Sequence, residues 1–204
     1  TGTMIIAVDG PTASGKGTIA QALAEHFGLP HLDTGLLYRA VGRQVFLDGG
    51  DPDNGGDALA GCAFPDAHLR NEETGGLASR VSVHPAVRQA LYDRQRRFAT
   101  QAGGAVLDGR DIGTVIAPEA DAKLFIIASV EARAQRRFLE MRERGVHVTK
   151  LEIADDLRRR DERDRNRAVA PLAPAPDAMV IDTSPLSREQ SIEAAIEAVM
   201  EATS

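Results

Sequence analysis

The chain has 204 residues, 43% of them hydrophobic and 26% charged, an ordinary globular composition with length for one substantial core and small insertions. A net charge of −6 gives bulk charge no part in holding a nucleic-acid duplex, and the single cysteine, Cys62, excludes an internal disulfide framework. No apolar run is long enough to span a bilayer and no signal-peptide pattern is present, so no membrane partner and a cytoplasmic location are expected.

The first predicted element is a strand over the apolar run Met4 to Val8, closed by Asp9. Gly10-Pro11-Thr12-Ala13-Ser14-Gly15-Lys16-Gly17-Thr18 follows it directly. Gly10 and Gly15 bracket four residues before Lys16, the spacing of a loop whose backbone N–H groups and helix N-terminus cradle the phosphates of a nucleoside triphosphate. Gly17 stands where most such loops put a serine or threonine.

A helix is predicted from Lys16 to Phe27 on the apolar spacing Ile19, Leu23, Phe27, with Gly28 as its C-terminal cap. Pro30 to Asp33 reads as a short strand. Thr34 is a candidate N-cap for the next helix, whose apolar stripe runs through Ala40, Val41, Val45 and Phe46. From Leu47 to Gly76 the density of Gly, Asp and Pro predicts loop. Pro85 to Gln101 is helical, with Arg88, Arg94, Arg96 and Arg97 reading by default as a solvated face.

Ala105 to Asp108, Leu124 to Ala128 and Met179 to Asp182 are further strands, and Glu131 to Arg144, Leu151 to Arg165 and Arg188 to Ala202 are helices. Strands alternating with helices call for an α/β fold with a mostly parallel sheet, helices on both faces and a crevice at the carboxyl ends of the strands. Asp9, Asp33 and Asp108 all close strands and are expected to face it. The five histidines, His26, His31, His68, His84 and His147, show no ligand spacing, so no structural zinc is expected and none lies near the motifs.

All but three of the 24 basic residues are arginine, a bias that suits two-point gripping of phosphate. Arg160, Arg163, Asp164 and Arg167 are spaced to share one helix stripe in which arginines outnumber acids.

Four motifs in order carry a family resemblance: the loop with Gly15-Lys16-Gly17-Thr18; Asp33-Thr34-Gly35 with Tyr38-Arg39; Asp108-Gly109-Arg110-Asp111 with Gly113-Thr114; and Arg160-Asp161 with Arg163-Asp164 and Arg167. Together they resemble the bacterial cytidylate kinases, nucleoside monophosphate kinases, over the length of the chain. The resemblance implies a three-layer fold of the P-loop NTP hydrolase type, a short monophosphate-binding insert and a short lid. One domain, 1–204, would comprise a core of 4–39, 103–132 and 166–204, an insert with its flanking helix over 40–102, and a lid region over 133–165.

It implies transfer of the γ-phosphoryl group of ATP to CMP or dCMP with Mg²⁺, by a monomer that binds small molecules and no nucleic acid. Residues 10–18 and Arg137 would hold ATP. Lys16, Arg110, Arg167 and Asp108 would be catalytic, with Asp108 organising the metal through water because Gly17 offers no hydroxyl. Thr34, Tyr38, Arg39, Ser79, Arg88, Arg110, Asp111, Arg160, Asp164 and Arg167 would hold CMP: Arg160 and Asp164 at the ribose, Arg39, Arg110 and Arg167 at phosphates, and Asp111, Arg88 and Ser79 at cytosine. Arg133 and Arg136 join Arg137 as candidate lid arginines, and Arg163 is placed only loosely. The 39 residues between Arg39 and Ser79 form a shorter insert than the family leads one to expect.

No catalytic base is required, since the acceptor phosphate is already an anion. The alternatives are another small-molecule P-loop kinase taking UMP or AMP, a GTPase-type switch, and a non-catalytic binding module. The switch lacks its guanine element, because Asn54, Asn71 and Asn166 are followed by Gly, Glu and Arg.

Overall fold

Apolar runs joined through helices can bury both faces only by pairing in parallel, and five such runs do so. In the computed structural model, which describes residues 2–63 and 72–204, they are β1 (Met4–Asp9), β2 (His31–Asp33), β3 (Gly104–Gly109), β4 (Ala122–Ile127) and β5 (Met179–Asp182). The sheet order is β2-β3-β1-β4-β5 and its four pairings are parallel. The helices are α1 (Lys16–Phe27), α2 (Thr34–Leu47), α3 (Gly55–Gly61), α4 (Glu72–Val81), α5 (Pro85–Ala99), α6 (Val130–Glu143), α7 (Lys150–Asn166) and α8 (Arg188–Ala202).

Alternation along β1 divides the core. Ile6 and Val8 pack with Ile19 and Leu23 of α1 and Val199 of α8, while Ile5 and Ala7 face Ala99 of α5 together with Ile112 and Ile116. Helices therefore cover both faces, as the alternation of elements predicted. The register brings Asp33, Val8 and Asp108 level across β2, β1 and β3, so the turns after these three strands meet at one edge. Two satellite cores lie beyond it: α2, α3, α4 and α5 share Leu37, Val41, Ala58, Val81 and Leu91, and α6 and α7 share Ala134, Ile153 and Leu157.

Three expectations are corrected. Much of Leu47 to Gly76 is helical, because Asn54 accepts from the N–H groups of Gly56 and Asp57 at 2.9 and 3.2 Å and so starts α3 inside the turn-rich stretch. Gly75 and Gly76 lie within α4, where a Cβ on Gly75 would come within 2.9 Å of Arg160 Nη1. Residues 64–71 of that stretch lie outside the described residues. Thr34 is not a cap; Asp33 occupies the cap position and the Thr34 hydroxyl donates to the Asp108 carbonyl at 2.8 Å. Phe46 leaves the apolar stripe of α2 and is 68% exposed.

Gly104 opens β3 at φ +96°, where a Cβ would sit 1.9 Å from the Met4 carbonyl oxygen. Gly28 caps α1 at φ +65° with nothing within 4 Å. Gly28→Ala is expected to lose about 1 kcal/mol, the left-handed penalty alone, and Gly104→Ala to lose at least about 3 kcal/mol by adding a backbone clash. Urea unfolding of the two variants measures the difference; equal losses would contradict the described packing of β3 on β1.

Candidate active site

The turn after β1 is shaped by backbone conformation. Ala13 and Gly15 take left-handed φ values of 61° and 92°, and the Gly15 cap of α1 carries no side-chain hydrogen bond, leaving the helix N-terminus to an anion. A Cβ on Gly10 would lie 2.2 Å from the Ile126 carbonyl oxygen, so the chain turns there only as glycine.

Side chains from other elements hold this loop from behind. Arg133 donates to the Thr12 carbonyl at 3.1 Å, and Thr183 donates to the Ser14 carbonyl at 2.9 Å. Arg136 in turn donates to the carbonyl of Thr183 at 2.5 Å and to its hydroxyl at 3.1 Å.

Among the described residues, the cleft in front of the loop is lined by seven cationic side chains, Lys16, Arg39, Arg88, Arg110, Arg137, Arg160 and Arg167, against four carboxylates, Asp33, Asp108, Asp111 and Asp164. On a chain of net charge −6, this local excess of positive charge selects an anionic ligand. Burial, and then the neighbouring Arg110, lower Lys16 from 10.5 to about 8.

The carboxylates hold guanidiniums in place. Arg110 Nε donates to Asp164 at 3.0 Å while its Nη2 donates to the Thr12 hydroxyl at 2.5 Å, so one arginine links the loop after β3 to both the phosphate loop and α7. Arg88 pairs with Asp111, donates to the Ser82 carbonyl at 3.1 Å and lies 5.4 Å from the centre of the Tyr38 ring. Arg160 Nε lies 2.9 Å from Asp156. Arg167 donates through Nε to the Ala170 carbonyl at 2.5 Å, while its buried Nη2 on the cleft wall has no hydrogen-bond partner among the described residues. A buried guanidinium N–H left open in this way suits an incoming phosphate or carboxylate oxygen.

Thr12, Ala13, Lys16, Gly17, Thr34, Tyr38, Arg39, Ser79, Arg88, Asp108, Arg110, Asp111, Arg137, Arg160, Asp164 and Arg167 all line this one cleft. Gly10, Pro11, Ser14, Gly15 and Thr18 are not on its wall; Gly10 and Gly15 set the path of the loop and Thr18 lies in the first turn of α1. Arg88 is buried, against its default as part of a solvated face, because Asp111 neutralises it.

Asp9 is turned away from the crevice. Its carboxylate accepts from the N–H groups of Ile112 and Gly113 at 2.9 and 2.8 Å, anchoring the wide helical turn Ile112–Ile116, and burial raises its pKa to about 7. Arg133 does not line the cleft: it is 2% exposed and forms a two-point pair with Asp161 at 2.9 and 2.5 Å. Arg136 is engaged with Thr183; of the three candidate lid arginines, Arg137 lines the cleft. Arg163 is not on its wall, but donates to the Ser79 hydroxyl at 2.6 Å.

One residue was missed altogether. His31 Nε2 lies 2.6 Å from Asp108 Oδ2, so a histidine does stand beside the motifs. Two positions before Asp33 on a strand paired with β3, it shares a face with Asp108; the available signal was the period of two, once the neighbouring strand was known.

A family model described as cytidylate kinase matches residues 6–52 and 58–201. A cytidylate kinase of Methylocella silvestris is 54% identical over 95% of this chain and 92% of its own length. One from Granulibacter bethesdensis is 55% identical over 94% of each chain. Among solved structures, a gluconokinase from Sinorhizobium meliloti is similar in fold alone, with a TM-score of 0.53 at 14% identity over 98% of this chain and 93% of that one.

Removing Arg133 would leave the buried Asp161 facing a solvent-exposed Arg165 at 4.0 Å in place of its two-point partner, and would release the Thr12 carbonyl. Arg133→Met is therefore expected to cost about 3–5 kcal/mol of stability, whereas Arg137→Met, which loses a half-exposed pair with Glu140, should change stability by less than about 1 kcal/mol. Denaturant unfolding of both checks this; a near-silent Arg133→Met would contradict its role in holding the loop.

Proposed function

The chain belongs to the cytidylate kinase family, and on that premise we propose that it transfers the γ-phosphoryl group of ATP to CMP or dCMP, with the triphosphate at the Lys16 end of the cleft and the acceptor at the Asp111 end. The observation that carries this arrangement is one cleft with a phosphate loop at one end and the buried Arg88–Asp111 pair at the other.

In this reading Lys16 and the backbone of residues 10–18 hold the triphosphate, and Arg137 closes over it. Arg39, Arg110 and Arg167 bring the acceptor phosphate into line. The site supplies position and positive charge, which is most of what phosphoryl transfer between two anions requires. The tie from Arg110 to Thr12 and Asp164 supports a place for it between the two phosphates.

Magnesium fits the residues present. Asp108 turns one carboxylate oxygen to His31 and lies on the cleft wall beside Lys16 and Gly17. A single protein carboxylate completed by water and phosphate oxygens is a donor set that Mg²⁺ accepts. Held by Asp108 through water, the ion would neutralise phosphate charge. His31 would fix the carboxylate that receives it.

Cytosine presents an exocyclic amine, which a carboxylate accepts, beside acceptors that an arginine satisfies. Asp111 and Arg88 offer that pair already assembled, with Ser79 close by and Tyr38 beneath. Thr34 shapes this wall through its bond to Asp108, and Arg160 and Asp164 would take the ribose. Residues 40–102 form the acceptor-binding insert and 133–165 the lid region of one domain. The enzyme acts as a monomer in this reading, and among the described residues no helix is long and apolar enough to cross a membrane.

Turnover of ATP with CMP, dCMP, UMP, AMP and GMP tests the reading in the wild type and in Asp111→Ala. The wild type should be most efficient with CMP or dCMP, and Asp111→Ala should lose about 100-fold or more with CMP and far less with UMP, because the amine loses its acceptor. Fastest turnover with AMP, or equal losses with CMP and UMP, would contradict it.

Lys16 gives a pH dependence of definite sign. With its pKa lowered to about 8, the free protein carries the ammonium below that value and loses it above. ATP should bind about tenfold more weakly at pH 9 than at pH 7, with proton uptake on binding at the higher pH. Titration calorimetry in buffers of different ionisation enthalpy measures both; constant affinity over this range would place Lys16 away from the phosphates.

A further inference from the structure

A hydroxyl in or just past a helix here commonly turns back on that helix's own backbone, as Ser191 does inside α8 and Thr100 and Thr203 do at the C-caps of α5 and α8. Thr100, Ser191 and Thr203 each donate to the carbonyl four residues earlier, at 2.9, 2.8 and 2.8 Å, the usual fate of Ser and Thr in or at the end of a helix. Ser79, near the C-terminal end of α4, does not share it. Its oxygen accepts from Arg163 Nη1 at 2.6 Å, across from α7, and among the described residues nothing takes its proton. Ser79 also lines the cleft, whereas Arg163 does not.

A guanidinium has donors only, so Arg163 can occupy a lone pair of Ser79 but cannot take its proton. The effect is directional. With one lone pair fixed toward α7, the hydroxyl keeps a donor and a second lone pair for the cleft. The turn that carries it is fastened as well, since Ser82 donates to the Ser79 carbonyl at 3.0 Å and Arg88 donates to the Ser82 carbonyl at 3.1 Å. Ser79 is thus tied on one side to the Arg88–Asp111 pair and on the other to α7.

We infer that Arg163 is a positioning residue for the acceptor nucleotide: it touches no substrate and acts by holding the Ser79 hydroxyl toward the cleft, out of its own helix. The inference rests on the acceptor site proposed around Asp111 and Arg88. It gives a role to the one arginine of the stripe that faces away from the cleft, and it makes α7 a support for the base pocket on α4 as well as a wall for the ribose.

The test is a double-mutant cycle with Ser79→Ala, Arg163→Met and the pair, read as kcat and KM for CMP at saturating ATP. Ser79→Ala and Arg163→Met should each raise KM for CMP about five- to tenfold, the worth of one hydrogen bond in a cleft, and leave kcat within about twofold. The double variant should be no worse than either single one, because the two changes remove the same interaction. Arg163→Lys, which keeps a donor, should recover most of the affinity.

Additive losses, with Arg163→Met still raising KM in the Ser79→Ala background, would overturn the inference and leave the acceptor site intact. A normal KM in Ser79→Ala would also overturn it; the acceptor panel with Asp111→Ala then shows separately whether the base site stands.

Discussion

Binding two phosphorylated nucleotides end to end requires positive charge packed more closely than positive charges tolerate, and the Asp–Arg pairs in this cleft answer that requirement. On the cleft wall Asp164 holds Arg110 and Asp111 holds Arg88, and behind the phosphate loop Asp161 holds Arg133 in the same way. Each pair fixes a planar guanidinium whose remaining donors keep their directions. The surplus of cations over carboxylates remains, so the site stays attractive to anions although its arginines are individually anchored. Removing a carboxylate would both free an arginine to move and raise the repulsion among those that stay, a coupling that makes single residues poor units of account.

The same pairs bind the fold together. The phosphate loop leaves β1 with backbone carbonyls that have no strand neighbour, and those of Thr12 and Ser14 are met by Arg133 and Thr183. Arg133 rises from α6 and is paired to α7; Thr183 follows β5 and is gripped by Arg136. A loop that must present N–H groups to a ligand thus has its carbonyl side fastened to three separate elements. Asp9 does the equivalent service for the turn after β3, which explains why an acid at the end of β1 is aimed at backbone and not at the cleft.

Much of this was legible in the chain. The alternation of apolar strands and helices carried the parallel sheet, and the motif residues carried the location of the cleft, because strand ends in parallel register must meet at one edge. Side-chain direction was harder to read. Asp9 and Asp108 both end strands, yet one faces backbone and one faces the cleft, a difference settled by the following turn. Arg133 and Arg137 lie one helical turn apart on α6, and only the packing of α7 decides which is buried. His31 stood outside every motif and becomes relevant through a neighbouring strand distant in sequence. The helices α3 and α4 were hidden by glycines, one of which, Gly75, is present to let Arg160 pass.

The central claim is that the two ends of one cleft take two different nucleotides, with the acceptor's base at the Arg88–Asp111 pair. A crystal structure with CMP and a non-hydrolysable ATP analogue tests it directly. The account predicts the cytosine amine within hydrogen-bond distance of Asp111, the CMP phosphate among Arg39, Arg110 and Arg167, and the triphosphate on residues 10–18. Cytosine bound away from Asp111, or both nucleotides competing for the phosphate loop, would contradict it.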